Sequence, residues 1–295
     1  MTAALYAFAP DMPRAAMLGA ELGLAACDVR LHRFPDGESL VRVPVPASEV
    51  ALLYRSLDDP NAKLVELLLA ASALRANGSY RVILVAPYLA YMRQDMAFRP
   101  GEAVSQRVIG ELIASAFDGC VTVDPHLHRV HDLAEVLPGI ATASLTAAPA
   151  LSTALDLSRN PVVAGPDEES LQWVRAIAGP DGLDTVVGRK ARSGDRDVRI
   201  EFGDASRVAG RNVVLVDDVI SSGATLSAAA RALKDSGAMR IEALATHCLA
   251  SAADLDGLRQ AGIERVRSTD SIPGPTADIA LAPLLARGIT EKDLL

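Results

Sequence analysis

The chain has 295 residues, half of them hydrophobic and 22% charged, and a formal net charge of −8 at pH 7. This length allows two ordinary domains, and this composition excludes a disordered or fibrous protein. Because the net negative charge repels a polyanion, nucleic acid is excluded as a main partner.

The cysteines and the first residues indicate the compartment in which the protein works. Cys27, Cys120 and Cys248 are far apart and form no CxxC pair, unlike a disulfide framework or a thiolate zinc site. We interpret them as buried thiols in a reducing compartment. Residues 1–14 lack the basic start of a signal peptide, and no apolar run approaches the ~18 residues of a membrane span. We therefore expect a cytoplasmic protein with no membrane partner.

Short runs rich in Val, Ile and Leu alternate along the chain with longer stretches of helical periodicity. Strands that are buried on both faces of a parallel sheet have such continuous apolar runs, and the alternation is typical of an α/β fold. In chain order, the pattern predicts a helix at 62–77, a strand at 81–86, a helix at 103–117, strands at 120–124 and 161–164, a helix at 169–178, a strand at 212–217 and a helix at 225–236.

A stretch rich in Pro, Ala, Ser and Thr at residues 138–149 divides the chain near its middle, where a domain boundary is expected. We predict two similar α/β domains, residues 1–143 and 144–295, each with a mainly parallel central sheet flanked by helices. Both halves contain a strand, a polar loop and a helix in this order, which leaves an ancient duplication open.

The segment at residues 213–225 concentrates the polar chemistry of the chain. A buried strand, an acid pair, a hydroxyl-rich loop and an Ala-rich helix follow one another. In open α/β sheets ligands bind beyond the carboxyl ends of strands, and a helix N-terminus offers N–H groups to a phosphate. We predict a phosphorylated ligand, although acids that end a strand and hydroxyls that cap a helix remain the alternative. The candidate residues are Asp217, Asp218, Ser221, Ser222, Gly223, Ala224 and Thr225.

Six segments extend over nearly the whole chain in a fixed order. They are Phe-Pro-Asp-Gly-Glu at 34–38, Arg-Gln-Asp at 93–95, Val-Asp-Pro-His at 123–126, Gly-Pro-Asp at 165–167, Lys-Ala-Arg at 190–192, and residues 217–225. The last segment resembles the phosphoribosyl-diphosphate-binding signature of type I phosphoribosyltransferases. Together the six resemble one branch of that superfamily, the ribose-phosphate diphosphokinases.

The resemblance implies phosphoribosyltransferase-like domains and a specific reaction. The β,γ-diphosphoryl group of ATP would move to the 1-hydroxyl of ribose 5-phosphate, giving 5-phosphoribosyl 1-diphosphate (PRPP) and AMP, with Mg²⁺ as cofactor. The first domain would contact ATP, the second would bind ribose 5-phosphate, and the last helix would pack back on the first domain. The implied roles are catalysis by Lys190 and Arg192; ATP binding by Phe34, Asp36, Gly37, Glu38, Arg93 and Gln94; ribose 5-phosphate binding by Arg192 and the seven residues named above; and Mg²⁺ binding by His126 and Asp167.

Two of these segments have plainer interpretations without the resemblance. Residues 188–197 contain two glycines and little apolar content, which predicts a mobile loop, and composition alone favours a solvated basic turn. Residues 34–38 alone indicate a turn with an exposed aromatic. The resemblance implies that this turn projects into a neighbouring subunit's site, so that the enzyme is a dimer or a higher homo-oligomer.

The sequence departs from the family pattern at several positions, and three alternatives stay open. A phosphoribosyltransferase that consumes PRPP is one, a catalytically weak regulatory paralogue that binds nucleotide is the second, and a hydrolytic zinc centre at His126, His128 and His131 is the third. The departures are Ser221, Ser222 and Ala224, where many members have aspartate, threonine and glycine; Met96, where they have a second arginine; and Glu168 and Glu169, where small residues are usual.

Overall fold

The computed structural model describes residues 2–127, 129–130, 132–193 and 197–295, and for residues 190–193, 197–199 and 205 it describes the backbone alone. The chain divides into two compact units. The first comprises Met1–Thr146 and Leu281–Leu295, and the second comprises Ala147–Ala280.

The first unit begins with alternating strands and helices, because apolar runs that form buried strands are separated by amphipathic segments. In β4 and β6, for example, every residue is buried. The elements are β1 (Ala3–Phe8), α1 (Met12–Leu22), β2 (Ala26–Arg33), β3 (Ser39–Arg42), β4 (Val50–Tyr54), α2 (Pro60–Ala76), β5 (Arg81–Val85), α3 (Ser105–Ala116), β6 (Gly119–Val123), α4 (Leu133–Val136) and β7 (Ala141–Leu145).

The second unit repeats this alternation. The last helix of the chain, α9 (Ala282–Glu291), belongs to the first unit, where it packs against α1, β6 and β7. The elements are α5 (Ala148–Ser152), β8 (Val162–Gly165), α6 (Leu171–Ala178), β9 (Thr185–Ser193), β10 (Asp197–Phe202), β11 (Asn212–Ile220), α7 (Ala224–Asp235), β12 (Arg240–Cys248), α8 (Ala252–Gln260), β13 (Ile263–Thr269), β14 (Ala277–Ile279) and α9 (Ala282–Glu291).

The two sheets have the same strand order. Within the ranges given above, each sheet contains seven strands, in the orders β3-β2-β1-β4-β5-β6-β7 and β10-β9-β8-β11-β12-β13-β14. The outer strand pairs β2–β3 and β9–β10 are antiparallel, and the other strand pairs within the described residues are parallel. The predicted α/β class with two mainly parallel sheets is confirmed, and the shared order agrees with a duplication.

The predicted elements are all present, and their ends differ from the prediction by at most three residues. The largest difference is at β11, which continues to Ile220 because Val219 and Ile220 extend its pairing with β12. None of the helices that the structure describes is long and apolar enough to cross a membrane.

Residues 188–193 do not form the predicted loop, so that prediction is wrong. They belong to β9, where Lys190 is paired with Ile200 and Arg192 with Val198 of β10. Apolar and polar residues alternate from Val198 to Phe202, which is the period of a strand, and pairing with this strand outweighs the low apolar content of residues 188–193. Residues 194–196 of the predicted loop lie outside the described residues.

The three thiols are free, but the prediction that all are buried is right only for Cys120. Cys120 lies in β6, where every residue is buried, and burial raises the pKa of its thiol to about 12. Cys27 and Cys248 are half-buried: Cys27 lies in β2, most of whose residues are exposed, and Cys248 is the last residue of β12.

Candidate active site

The topology of the second unit brings three predicted segments to one edge of its sheet. Lys190 and Arg192 lie on β9, Asp167 follows β8, and β11 leads into residues 221–225. β9, β8 and β11 are parallel neighbours, so their carboxyl ends meet at the same edge. The short 3₁₀ turn Glu168–Ser170 also contacts β11. The structure therefore collects basic, acidic and hydroxyl-bearing segments where open α/β sheets bind ligands.

The acid pair lies within β11 and not after its end, which corrects the predicted strand boundary. Asp217 is paired with Ala245 of β12 and is half-buried, and Asp218 is 4% exposed. Asp217 Oδ1 accepts a hydrogen bond from the Asp218 N–H at 3.1 Å, and Asp218 Oδ1 accepts one from the Val219 N–H at 2.8 Å. These bonds hold both carboxylates close to the backbone of the strand.

The carboxylates of this edge repel one another. Burial raises the pKa of Asp217 well above its usual value, and the charges of Asp218 and Asp167 raise it further. Asp167 itself accepts a hydrogen bond from the Glu169 N–H at 3.1 Å and so begins the 3₁₀ turn. A cation or a hydrogen-bond donor on a bound ligand would relieve this repulsion, which is the property expected of a binding edge.

The loop after β11 requires its glycine. Gly223 has φ +71° and precedes the first residue of α7, and a Cβ at this position would lie 2.9 Å from Leu258 Cδ2. Of the other loop residues, Ser222 and Ala224 are exposed, whereas Ser221 and Thr225 are half-buried. The first turn of α7 leaves N–H groups without helical partners, so the loop can receive a phosphate.

We expect Gly223→Ala to lower both Tm and the affinity for a phosphorylated ligand. The left-handed backbone costs a non-glycine residue about 1 to 2 kcal/mol, and the new methyl group displaces Leu258 or the loop. Gly203→Ala is the matched control, because Gly203 is exposed, lacks a positive φ and would have nothing within 4 Å of a new Cβ. Thermal unfolding and ligand titration measure both effects, and equal behaviour of the two variants would contradict the assigned role of Gly223.

In the first unit, an ion pair joins the segment at 93–95 to Arg129, three residues after His126. Asp95 has a side chain only 1% exposed, and its Oδ1 accepts a hydrogen bond from Arg129 Nη1 at 2.7 Å. Gln94 Oε1 accepts one from Ser105 Oγ at 2.8 Å, at the start of α3. Arg93 is exposed and His126 is half-buried. The loops after β5 and β6 are therefore held together, as a site that used Arg93 and His126 would need.

The alternative zinc centre gains no support from the described part of the chain. Those residues contain no group of three or more His, Cys, Asp or Glu that could hold a metal ion. His128 and His131, which that alternative requires, lie outside the described residues.

Residues 34–38 form the tight turn between β2 and β3. The Phe34 N–H donates to the Glu38 carbonyl at 2.8 Å, the Gly37 N–H donates to the Phe34 carbonyl at 2.9 Å, and Asp36 Oδ1 accepts from the Glu38 N–H at 3.1 Å. Gly37 has φ +94°. Phe34 is 41% exposed, with its ring edge to face with His32 at 4.8 Å between centroids. The turn presents an aromatic ring and two carboxylates on a rigid backbone.

The two sheets have the same strand order, and a glycine-containing loop leads from β11 into α7. These features define the class of phosphoribosyltransferase-like α/β proteins. The N-terminal domain of ribose phosphate pyrophosphokinase matches residues 8–116, and the phosphoribosyl synthetase-associated domain matches residues 202–282. The chain belongs to the ribose-phosphate pyrophosphokinase family, as its motifs predicted.

Relatives and a solved structure match nearly the full length. The ribose-phosphate pyrophosphokinase of Methanopyrus kandleri is 34% identical over 273 residues, covering 92% of this chain and 93% of that protein. That of Halobacterium salinarum is 35% identical over 277 residues, covering 92% and 95%. The crystal structure of phosphoribosylpyrophosphate synthetase from Mycobacterium smegmatis has a TM-score of 0.83 and 25% identity, covering 98% of each chain.

Sequence patterns alone do not single out two buried acids of the first unit. Asp95 occurs within a family motif, but its pairing with Arg129 depends on two loops that meet only in the fold. Glu66 lies on the same helical stripe as Ala70 and Leu74, at positions i, i+4 and i+8, and this spacing is the signal for its burial. An acid on such a stripe indicates a buried charge that needs a partner.

Proposed function

We propose that the chain transfers the β,γ-diphosphoryl group of ATP to the 1-hydroxyl of ribose 5-phosphate. The hydroxyl oxygen bonds to the β-phosphorus and loses its proton, while the bond from that phosphorus to the oxygen bridging to the α-phosphorus breaks. AMP leaves with the bridging oxygen, and PRPP is the second product. The observation that carries this proposal is the sheet edge formed by the neighbouring strands β9, β8 and β11: Lys190 and Arg192 lie on β9, Asp167 follows β8, and residues 217–225 extend from β11 into α7.

Ribose 5-phosphate is assigned to the second unit. Asp217 and Asp218 accept the ribose hydroxyls, and Ser221, Ser222, Gly223, Ala224 and Thr225 hold the 5-phosphate at the start of α7. Lys190 and Arg192 stabilise the charge on the migrating group, and Arg192 also contacts the sugar phosphate. No covalent intermediate is required, so positioning and electrostatics account for the rate.

ATP is assigned to segments of the first unit. The exposed Phe34 ring packs against adenine, Asp36, Gly37 and Glu38 contact the nucleotide through the turn, and Arg93 and Gln94 bind the triphosphate. The hydrogen bonds that hold Gln94 and Asp95 support this assignment, because they fix the loop on which Arg93 lies.

Mg²⁺ is assigned to His126 and Asp167, as the resemblance implies, and within the second unit the carboxylates around Asp167 suit a divalent cation. Burial raises the pKa of Asp217, and the charges of Asp218 and Asp167 raise it further, so a divalent cation at this edge would lower the cost of holding these carboxylates together. Bound Mg²⁺ would supply charge neutralisation for the triphosphate. Around it, this chain's own groups orient ATP and ribose 5-phosphate and hold the 1-hydroxyl in line with the β-phosphorus.

The proposed enzyme is an assembly of two or more copies of this chain. β2, which carries the 34–38 turn, is separated from β5 by β1 and β4, three strand spacings or about 14 Å. This separation within one sheet supports a turn that serves a second copy of the chain, so that the working enzyme is at least a dimer. The proposed location is the cytoplasm, where three free thiols persist.

Incubation of the purified protein with ATP, Mg²⁺ and ribose 5-phosphate tests the proposed function. Equimolar AMP and PRPP support it, with ribose 5-phosphate omitted as the control. Formation of a nucleotide from PRPP and a purine base, with no synthesis of PRPP, would instead identify a phosphoribosyltransferase. ATP binding without any turnover would identify the regulatory paralogue.

A mixture of two inactive variants tests the shared site. We expect Phe34→Ala and Lys190→Ala to be poorly active alone and to recover activity together, since base stacking on an aromatic contributes about 1 to 3 kcal/mol. Random reassociation of dimers would leave about one quarter of the sites with both groups intact. Mass spectrometry confirms the exchange of subunits, and exchange without recovery would mean that the turn serves its own chain.

A further inference from the structure

A buried ion cluster lies beneath the 34–38 turn. Glu66 of α2 has a fully buried carboxylate, whose Oε1 accepts a hydrogen bond from Arg33 Nη2 at 2.8 Å and whose Oε2 contacts Arg55 Nη2. Arg55, at 4% exposure, has Nη1 3.6 Å from Asp11 Oδ2, and its guanidinium lies 4.0 Å above the Phe8 ring. We call Asp11, Arg33, Arg55 and Glu66 the Glu66 cluster.

Stability alone does not explain the Glu66 cluster. Removing two charges from water costs about as much as their attraction returns, and apolar residues of similar volume are often equally stabilising. Burial lowers the pKa of Arg55 even though Asp11 and Glu66 act in the opposite direction. A helix stripe that contains Ala70 and Leu74 would accept an apolar residue at position 66. The carboxylate at position 66 fixes the positions of its arginine partners, which an apolar residue would not do.

Arg33 connects the Glu66 cluster to the turn. Arg33 is the last residue of β2, is paired with Ser39 at the base of the turn, and directly precedes Phe34. Its side chain is 58% exposed, whereas the carboxylate that it contacts is fully buried. The ion pair thus ties the base of an outer hairpin to helix α2.

We propose that Glu66 is a positioning residue that, through Arg33, holds the Phe34–Glu38 turn in the orientation that contacts ATP. This inference rests on the proposed function, because it requires that the turn bind the nucleotide. Arg55 holds the Glu66 carboxylate, Asp11 in turn holds Arg55, and Arg33 transmits the position of Glu66 to the turn.

Arg33→Ala is the first test, because Arg33 is half-exposed and Glu66 retains Arg55 as a partner. We expect the KM for ATP to rise about 5-fold or more, with the KM for ribose 5-phosphate unchanged within about 2-fold. Arg33→Lys should restore part of the ATP affinity. Arg30→Ala is the matched control: Arg30 lies on the same strand, is 70% exposed and is 3.7 Å from Asp28.

Replacing the buried pair tests Glu66 itself without leaving a buried charge unpaired, because Asp11 keeps Arg14 as a partner at 2.9 Å and Arg33, which loses Glu66, is 58% exposed. Arg55→Met combined with Glu66→Leu should give the same rise in the KM for ATP, with a Tm close to that of the wild type. A lower Tm with an unchanged KM for ATP would show that the cluster serves only stability, which would overturn the proposal.

Hydrogen exchange provides a readout that does not need activity. In the ligand-free protein, the Phe34 and Gly37 amides, which donate within the turn, should exchange faster in Arg33→Ala while α2 and the central strands do not change. Unchanged exchange in the turn, or faster exchange everywhere, would overturn the positioning role. If the wild type makes no PRPP, the proposed function fails, and exchange in the turn still decides whether Glu66 positions it.

Discussion

Replacing Lys190 by alanine is expected to lower kcat by about 100-fold or more, the scale of removing one preorganised electrostatic donor. The proposed role of this lysine is to stabilise charge on the migrating diphosphoryl group, which is greatest in the transition state. The KM for ribose 5-phosphate and the Tm should change little. Steady-state kinetics in both substrates and thermal unfolding separate these effects.

Arg189→Ala provides the matched control for Lys190→Ala. Arg189 is the neighbouring cation on β9, but its side chain is 82% exposed and lies 3.5 Å from Glu168. Removing it should change kcat by no more than about 2-fold, in line with other exposed ion pairs. A Lys190→Ala enzyme with normal kcat would contradict the assigned role, as would an equal loss in both variants.

Asp217→Asn is expected to weaken ribose 5-phosphate binding by about 10-fold or more, because a hydrogen bond to a charged acceptor is lost. The KM for ATP should remain unchanged, since ATP is assigned to segments of the first unit. Titration of each ligand measures the two affinities. Equal losses, or a selective loss for ATP, would mean that the two substrates have been assigned to the wrong residues.

The same variant should be more stable than the wild type at neutral pH without ligands or Mg²⁺. The pKa of Asp217 is raised in the folded protein, so the folded state binds more protons than the unfolded chain. Wild-type stability then falls as the pH rises from the unfolded pKa through the folded pKa. Asparagine does not ionise, so the variant does not lose stability in this way as the pH rises. The higher Tm of Asp217→Asn over the wild type should disappear as the pH falls toward about 4, where both side chains are neutral.

Asp256→Asn is the matched control for both measurements on Asp217. Asp256 is exposed on α8 and pairs with Arg259 one turn away, so its replacement should change neither Tm nor ligand affinity appreciably. A stability gain confined to Asp217→Asn would indicate that this acid is retained for binding at a cost in stability. A lower Tm for Asp217→Asn would contradict the destabilising effect of its raised pKa.

Two of the departures from the family pattern, Ala224 and Glu168, have local explanations in the fold. Ala224 is the exposed first residue of α7, a helical position that alanine favours over glycine. The carboxylate of Glu168 lies 3.5 Å from Arg189, so part of the charge that it adds beside Asp167 is offset. Met96 is 39% exposed, and nothing in the structure explains why methionine stands there.

The sequence alone was sufficient to predict the α/β class, the main elements and the family. The predicted strands at 81–86 and 120–124 are continuous apolar runs, and such runs form buried strands whatever their neighbours are. The family followed from six short segments in order, because each keeps the residue types that bind phosphate, ribose or nucleotide. These are local properties, and local sequence patterns express them.

Only the tertiary structure decided which segments meet and which charges are buried. Residues 188–193 became a strand through pairing with β10, and β11 extended beyond Asp217 through pairing with β12. Glu66 is buried because Arg33 and Arg55, from two other parts of the chain, compensate its charge. Strand partners and ion partners lie far away in the sequence, so the free energy that selects these states depends on contacts that no local pattern contains.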